Sequence, residues 1–217
     1  MSGDGQRAAL IVLEGIDGSG KTTLGRRLAD AVAAAGLPVK WCPNVNLAPV
    51  RDRLDEVARE TGYADRAAML GRDRAQMLAA ILKWRDYADL ADDMARPGLV
   101  MVMDRYFYTH LALALVQRTG NLPRLRRLYA GLPEPRLTLL LEIDPDVAAE
   151  RVRARGTDST SPQFLADFAA AYRALPEYGT RFTRVDGARD ADAVFADAWA
   201  AVELHLPTTA ASMVEAR

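Results

Sequence analysis

The chain has 217 residues, which is enough for one α/β domain with a single core and short for two. Its 28 basic and 29 acidic residues leave a net charge of −1, which argues against a general nucleic-acid or membrane-surface binder, since such proteins usually carry a basic excess. No apolar run approaches the roughly 20 residues of a membrane span, and Cys42, the single cysteine, cannot form an internal disulfide. We expect one domain over residues 8–204, flexible ends at 1–7 and 205–217, and a cytoplasmic location.

Five short apolar runs predict β-strands, at residues 8–13, 39–42, 99–103, 137–143 and 182–185. Continuous apolar runs of this kind are typical of strands that are buried on both faces of a parallel sheet. The segments between them have helical composition, at 21–35, 50–60, 65–95 (where Gly71 can interrupt the helix), 106–118, 123–130, 145–155, 162–174 and 191–204. Strands that alternate with helices predict an α/β fold with a five-stranded parallel sheet, helices on both faces, and ligands at the carboxyl ends of the strands.

A phosphate-binding motif lies between the first predicted strand and the first predicted helix. Residues 15–22 read Gly-Ile-Asp-Gly-Ser-Gly-Lys-Thr and match G-x-x-x-x-G-K-[ST] in full. Glycines let the backbone N–H groups point at phosphate oxygens, and the helix N-terminus adds positive potential. Lys21 can reach the β and γ phosphates of ATP, and the Thr22 hydroxyl can bind Mg²⁺. The nucleotide-binding residues predicted from this motif are Gly15, Gly18, Ser19, Gly20, Lys21, Thr22 and Thr23.

The motif in its strand-to-helix context predicts a P-loop kinase fold, against the alternative of a glycine-rich turn that binds nothing. Asp17, inside the loop, either faces the metal or the phosphate acceptor, or accepts hydrogen bonds from loop amides. Asp104 ends the third predicted strand, where P-loop enzymes hold Mg²⁺ with a carboxylate, and Arg105 can bridge phosphate oxygens in a forked geometry. The alternative is a local Asp104–Arg105 ion pair. His110 is a structural residue or part of a pocket wall, because transfer to a phosphate oxygen scarcely needs a base.

Four segments together resemble the thymidylate kinase family. Residues 13–23 resemble the opening of its members almost letter for letter, and Asp73-Arg74-Ala75-Gln76 resembles their helix segment that lines the base pocket. Asp104-Arg105-Tyr106 matches the family's second signature. Asp144-Pro145, followed by Arg151 and Arg155-Gly156, resembles the approach to its lid, here about residues 151–162. The resemblance covers about residues 8–204.

The resemblance implies a kinase that passes the ATP γ-phosphate, with Mg²⁺, to the 5′-phosphate of a nucleotide. It implies that Arg105 binds the acceptor phosphate and that Arg74 forms a hydrogen bond with the pyrimidine. It also implies that the lid arginines Arg151 and Arg155 neutralise charge during transfer. The other substrate contacts that it implies come from Leu70, Thr109 and Leu113. Family members pair through helices, and residues 106–116 are apolar nearly all round, so we expect a homodimer.

The phosphate-binding loop departs from the family at Gly18, where a basic residue is common. The positive charge for catalysis must then come from elsewhere, most simply from Arg151, Arg153 or Arg155. Arg151 and Arg155 are four residues apart and share a helix face, whereas Arg153 points elsewhere. The alternative is that these arginines only form a solvated basic helix.

The residues expected to bind the phosphate acceptor depart further from the family pattern. The loop at residues 43–46 lacks the arginine that usually binds the acceptor phosphate, unless Arg51 or Arg53 reaches in. Leu70 stands where a phenylalanine usually stacks on the base, and Leu113 where a tyrosine is often near the sugar. The sequence therefore predicts a nucleoside monophosphate kinase for a pyrimidine-like acceptor. Two alternatives are a kinase for a hydroxyl of a nucleoside or other small molecule, and a nucleotide-binding module without turnover.

Overall fold

The protein is an α/β fold built on one sheet, and its computed structural model describes residues 7–156 and 160–207. The five strands of the sheet run parallel in the order β2-β3-β1-β4-β5. They are β1 (Ala9–Gly15), β2 (Val39–Cys42), β3 (Val100–Asp104), β4 (Leu137–Glu142) and β5 (Phe182–Asp186). The predicted five-stranded parallel sheet is confirmed. The predictions made for 1–6, for 208–217 and for the lid segment 157–159 lie outside the described residues.

Ten α-helices connect and cover these strands within the described part of the chain. They are α1 (Lys21–Ala34), α2 (Ala48–Glu60), α3 (Arg66–Leu70), α4 (Arg72–Ala88), α5 (Ala91–Met94), α6 (Phe107–Val116), α7 (Leu122–Tyr129), α8 (Pro145–Arg155), α9 (Pro162–Ala174) and α10 (Ala191–Glu203). The segment 65–95 is three helices, and the first break is at Gly71, whose φ of 83° is incompatible with a continuing α-helix. Ser161 caps α9, as its position predicted, and accepts a hydrogen bond from the Phe164 amide.

Each face of the sheet has its own apolar core, because successive side chains of a strand point to opposite faces. Leu10 and Val12 of β1 pack on one face with residues of α4, α6, α7 and α9. Ile11 and Leu13 pack on the other face with residues of α1 and α10. All seven residues of β1 and all five of β3 are buried, as expected for strands covered on both sides.

The α6 helix is covered within a single chain. Seven of its ten residues are buried, and it packs against β1, α7 and α9. The argument that its apolar surface needs a partner subunit is therefore wrong, because α7 and α9 already cover the sides that the sheet leaves open. The homodimer itself stays a prediction.

The register of the sheet brings two distant motifs together. Leu13 of β1 is paired with Asp104 of β3, so the phosphate-binding loop begins beside the end of β3. The amide of Arg105 extends this pairing by donating to the Leu13 carbonyl at 2.9 Å. Both segments leave the carboxyl edge of the sheet, where parallel α/β folds bind their ligands. No helix of the described residues is long and apolar enough to cross a membrane.

Candidate active site

The phosphate-binding loop turns tightly between β1 and α1. Lys21, at the start of α1, is buried, and its Nζ donates to the Ile16 carbonyl at 2.7 Å and to Ser19 Oγ at 3.3 Å. Burial lowers the pKa of Lys21 to about 7, and the nearby Arg105 charge acts in the same direction. An anionic group at the loop would favour the charged ammonium again, since opposite charges stabilise each other at close range.

Gly18 lies where the loop touches α8. Its φ is 84°, and a Cβ built there would lie 2.4 Å from the Ala148 carbonyl oxygen. That oxygen belongs to helix backbone, so it cannot rotate away as a side chain would. The contact explains why position 18 lacks a basic side chain: α8 occupies the space that such a side chain would need.

A hydroxyl and a carboxylate meet at the end of the loop in an arrangement that suits a hard cation. Thr22 Oγ1 donates to Asp104 Oδ2 at 2.5 Å. The second oxygen of Asp104, Oδ1, is buried and has no hydrogen-bond partner among the described residues. Mg²⁺ prefers oxygen ligands such as these, usually with one or two carboxylates and the phosphates of its substrate. The residues present therefore fit the magnesium ion that the motif implies.

Arg105 is held tightly at the carboxyl end of β3. Its backbone has a φ of 70°, which is uncommon for a residue other than glycine and is maintained only where the surroundings determine it. Its Nη1 donates to the Gly15 carbonyl at 2.9 Å, and its Nη2 donates to Asp17 Oδ1 at 2.5 Å. Burial acts to raise the pKa of Asp17, but the charges of Arg105 and Lys21 outweigh it and hold that pKa below its usual value. Arg105 therefore pairs with Asp17 rather than with Asp104, its neighbour in the sequence.

Glu14 is a buried carboxylate for which the sequence analysis proposed no role. It is fully inaccessible to solvent and accepts hydrogen bonds from the Tyr106 amide (2.9 Å), Thr109 Oγ1 (2.6 Å) and the Tyr172 hydroxyl (2.8 Å). Burial raises its pKa, although the Thr109 hydrogen bond and the Arg105 charge oppose the shift. Glu14 joins β1, α6 and α9 around Arg105. The sequence feature that could have revealed the role of Glu14 is a charged residue directly after five apolar strand residues.

A cavity of about 840 Å³ opens beside Arg105, between α2, α4, α6 and α9. Five residues discussed in the sequence analysis as site residues or alternatives line it: Asp17, Arg51, Arg105, Thr109 and Leu113. His110 also lines it, in agreement with a role in the pocket wall, and its burial lowers its pKa to about 3. With so low a pKa the imidazole is too weak a base to take a proton from the acceptor during the transfer. The Thr109 hydroxyl lies at the same wall, but Glu14 and Tyr172 engage it.

Two predicted substrate contacts are corrected by the structure. Leu70 and Arg74 are not among the residues that line the cavity. Arg74 is exposed, and its Nη1 lies 3.4 Å from the Leu70 carbonyl. The face of α4 that meets the cavity carries Arg72 and Gln76 instead, and Arg74 is about 200° around the helix from Arg72. Leu70 ends α3 and Arg74 lies in α4, so the break at Gly71 also prevents them from sharing one helix face.

The structure also separates the candidates for the missing arginine. Arg51 lines the cavity from α2. Arg53 is exposed and pairs with Glu56 at 2.7 Å on the outer face of the same helix. Lys83 of α4, which the sequence analysis did not single out, lines the cavity with its side chain only 8% exposed. Arg51 and Lys83 are therefore the candidates to replace the missing arginine that binds the acceptor phosphate.

The lid arginines occupy the C-terminal half of α8. Arg151 Nη1 donates to the Gly187 carbonyl at 3.1 Å, after β5. Arg155 is close enough to Asp17 for its charge to contribute to the lowered pKa of that carboxyl. Arg151, Arg153 and Arg155 are all exposed. Arg155 is distinguished by its contribution to the lowered pKa of Asp17 in the phosphate-binding loop.

The buried strand, glycine loop and helix, with Lys21 at the helix start and Asp104 at the end of the neighbouring strand, define a P-loop kinase fold. The family model for thymidylate kinase matches residues 13–198. A probable thymidylate kinase of Halobacterium salinarum is 30% identical over 215 residues, which cover 93% of this chain and 98% of that protein. A thymidylate kinase of Xanthomonas campestris pv. campestris is 33% identical over 200 residues, with 89% and 82% covered.

The chain therefore belongs to the thymidylate kinase family. It is an enzyme, a phosphotransferase of the nucleoside monophosphate kinase type.

Proposed function

We propose that this enzyme transfers the γ-phosphate of ATP to the phosphate of a pyrimidine-like nucleoside monophosphate held in the cavity beside Arg105. The observation that carries the proposal is that Arg105 and Asp17 line that cavity, while Lys21 and the Thr22–Asp104 pair lie in the adjoining phosphate-binding loop and strand end. A donor phosphate on the loop and an acceptor phosphate at Arg105 would meet there.

Each residue has a distinct part in this proposal. The loop amides from Gly15 to Thr23 hold the donor phosphates, and Lys21 places its charge on the group being transferred. Thr22 and Asp104 hold Mg²⁺, which supplies positive charge to the β and γ phosphates when bound. Arg105, oriented by Asp17, binds the acceptor phosphate with its guanidinium fork.

Positive charge from the lid completes the site. Arg155 and Arg151 approach the phosphates from α8 as the lid closes, which also excludes water. No general base is required, because the attacking group is already an anionic phosphate oxygen and catalysis rests on positioning and charge stabilisation.

The pyrimidine-like acceptor is supported by the family and by polar groups in the cavity wall. Gln117 lines the cavity, and its Oε1 accepts a hydrogen bond from Gln76 Nε2 at 3.0 Å, so its amide is oriented. Yet Val45 lines the cavity where the family has a phosphate-binding arginine, and Leu113 where it often has a tyrosine. We therefore expect that dTMP is not the preferred acceptor.

The test is ADP release in a coupled assay with dTMP, UMP, CMP, thymidine and uridine, with Lys21→Ala as the control for turnover at this site. We expect at least one monophosphate to exceed its nucleoside tenfold in kcat/KM. Higher kcat/KM with nucleosides would replace the proposal by a hydroxyl kinase, which the missing loop arginine favours. No ADP release with any acceptor would indicate a nucleotide-binding module. A dTMP value near 10⁵ M⁻¹s⁻¹, an ordinary figure for enzymes, and above all others would show that Val45 and Leu113 do not decide the acceptor.

The homodimer, the cytoplasmic location and the absence of nucleic-acid or membrane partners belong to the same proposal. The exposed apolar side chains of Ile81 and Trp84 on α4 offer a surface for a second subunit. Light scattering at micromolar concentration measures the mass directly, and a monomer would exclude the dimer.

A further inference from the structure

Lys83 is a buried cation that the proposed transfer has not yet used. Its Nζ donates to Asn44 Oδ1 at 2.8 Å and, by a short contact, to the Val45 carbonyl. Its carboxylate neighbour on α4, Asp86, lies 3.9 Å from Nζ, which is beyond hydrogen-bond distance. An ammonium group has three N–H donors, so the loop residues use two of them and one remains for the cavity that Lys83 lines.

Two other cations, Arg105 and Arg51, and two carboxylates, Asp86 and Asp104, lie close enough to Lys83 to act on its charge. Burial lowers the pKa of Lys83 to about 8, and the charges of Arg105 and Arg51 act in the same direction, against Asp86 and Asp104. Lys83, Arg105 and His110 all line the cavity, and the charges of Lys83 and Arg105 add to the effect of burial in lowering the pKa of His110.

The carboxylates nearby each have one partner of their own, although Asp86 Oδ2 and Asp104 Oδ1 are buried without a hydrogen-bond partner among the described residues. Asp17 pairs with Arg105, Asp104 accepts from Thr22, and Arg85 lies 3.3 Å from Asp86. Three cations that face one cavity repel one another, and an anion with two charges would relieve that repulsion. A phosphate monoester carries about this charge at neutral pH.

We propose that Lys83 binds the phosphate of the acceptor, in place of the arginine that the loop at residues 43–46 lacks. The inference rests on the proposed function, because it assumes that the acceptor is a phosphate monoester. The loop has changed its part: Asn44 and the Val45 carbonyl hold the Lys83 ammonium at the cavity wall, where the family uses a loop side chain of its own. Lys83 is thus a specificity residue that distinguishes a nucleotide from a nucleoside.

A purely structural role for Lys83, as a clip for this loop, makes different predictions. The experiment measures the Kd of UMP, dTMP, uridine and thymidine by calorimetry for the wild-type chain, Lys83→Met, Asn44→Ala and Arg85→Gln. Lys83→Met keeps an unbranched apolar stem and removes the charge. Arg85→Gln removes a charge from the exposed side of the same helix, with its side chain 66% exposed. Asn44→Ala removes a loop contact and leaves the ammonium in place.

We expect Lys83→Met to weaken monophosphate binding by about 10- to 100-fold, as for loss of a charge-assisted hydrogen bond, with nucleoside binding within twofold. Arg85→Gln should leave all four Kd values within twofold, and Asn44→Ala should keep the preference for monophosphates. Equal losses for nucleotides and nucleosides in Lys83→Met would identify a loop clip and overturn the inference.

The same data distinguish the two proposals. If the wild-type chain prefers monophosphates and Lys83→Met retains that preference, the inference is wrong and the proposed function stands. If the wild-type chain binds nucleosides as tightly as monophosphates, the proposed function fails first and the role of Lys83 fails with it. Should Lys83→Met not fold, Lys83→Gln takes its place, because it also removes the charge and keeps an N–H donor for the loop; an unchanged preference for monophosphates in that variant would overturn the inference.

Discussion

Gly18 is where the phosphate-binding loop and the lid helix α8 touch, and Gly18→Ala measures how closely they are packed. The new Cβ would lie 2.4 Å from the Ala148 carbonyl oxygen, and the φ of 84° disfavours any side chain. The backbone conformation alone costs about 1–2 kcal/mol. Overpacking against the backbone of α8 adds about 1–3 kcal/mol, so the sum is about 2–5 kcal/mol.

Gly36, after α1, is a matched control for the backbone effect. Its φ is 78°, and a Cβ there has nothing within 4 Å, so Gly36→Ala should cost only the conformational part, about 1–2 kcal/mol. Thermal and urea unfolding without nucleotide compare the two variants. In a chain of this size 1 kcal/mol corresponds to about 2–4 °C in Tm, so Gly18→Ala should melt about 2–12 °C below Gly36→Ala. Free energies of unfolding within 0.5 kcal/mol of each other would refute the contact.

The same contact predicts that the loop cannot regain a catalytic charge by a single change. Gly18→Arg has to displace α8, which carries Arg151 and Arg155, to make room for its side chain. We expect kcat no higher than that of the wild-type enzyme. A gain in kcat with an unchanged Tm would show that the space beside Ala148 is available.

Two further predictions concern charge at the loop. Because the pKa of Lys21 is about 7 when folded and 10.5 by its usual value, the unfolded chain binds more protons between these values, so this group makes stability rise with pH there. At pH 8 about 0.9 of Lys21 is neutral, so ATP binding should take up a similar amount of proton, which calorimetry detects as a heat that depends on the buffer. Lys21→Met should abolish this proton uptake. Proton uptake that persists in Lys21→Met would contradict its assignment to Lys21. Arg155→Ala should lower kcat at least tenfold, as loss of a transition-state charge does. Arg153→Ala, on the same helix, should keep kcat within twofold of the wild-type value. Equal effects of the two substitutions in steady-state assays would exclude a specific part for Arg155.

Local patterns were enough to predict the sheet and the donor side of the site. The central strand β1 and its neighbour β3 are buried on both faces and read as unbroken apolar runs. Thr22 and Asp104 are 82 positions apart, yet Thr22 ends the loop that follows the first predicted strand and Asp104 directly follows the third, and parallel pairing brings the carboxyl edges of such strands together. The sequence therefore predicted their proximity without any knowledge of side-chain packing.

The acceptor side could not be predicted in the same way, because helix orientation decides it. The segment 73–76 was expected to line the base pocket, but only Ala75 and Gln76 of it do so. A rotation of α4 by one residue, about 100°, would change which side chains meet the cavity. Lys83 lies two turns further along this face, and its contacts with Asn44 and Val45 depend on how a loop 39 residues earlier packs against the helix.

The difference between the buried phosphate-binding residues and the side chains of the cavity wall bears on how the enzyme can change its acceptor. Arg105 and Tyr106 are joined by buried hydrogen bonds to the Gly15 carbonyl of β1 and to Glu14, so a substitution of Arg105 or Glu14 leaves a buried polar group without its partner, at a cost of about 1–3 kcal/mol. The cavity wall is assembled from side chains of α2, α4, α6 and α9, many of which end at the cavity surface. Val45 and Leu113 can therefore differ from the family pattern without disturbing Arg105 or Lys21. Acceptor choice can diverge while the phosphate chemistry is retained.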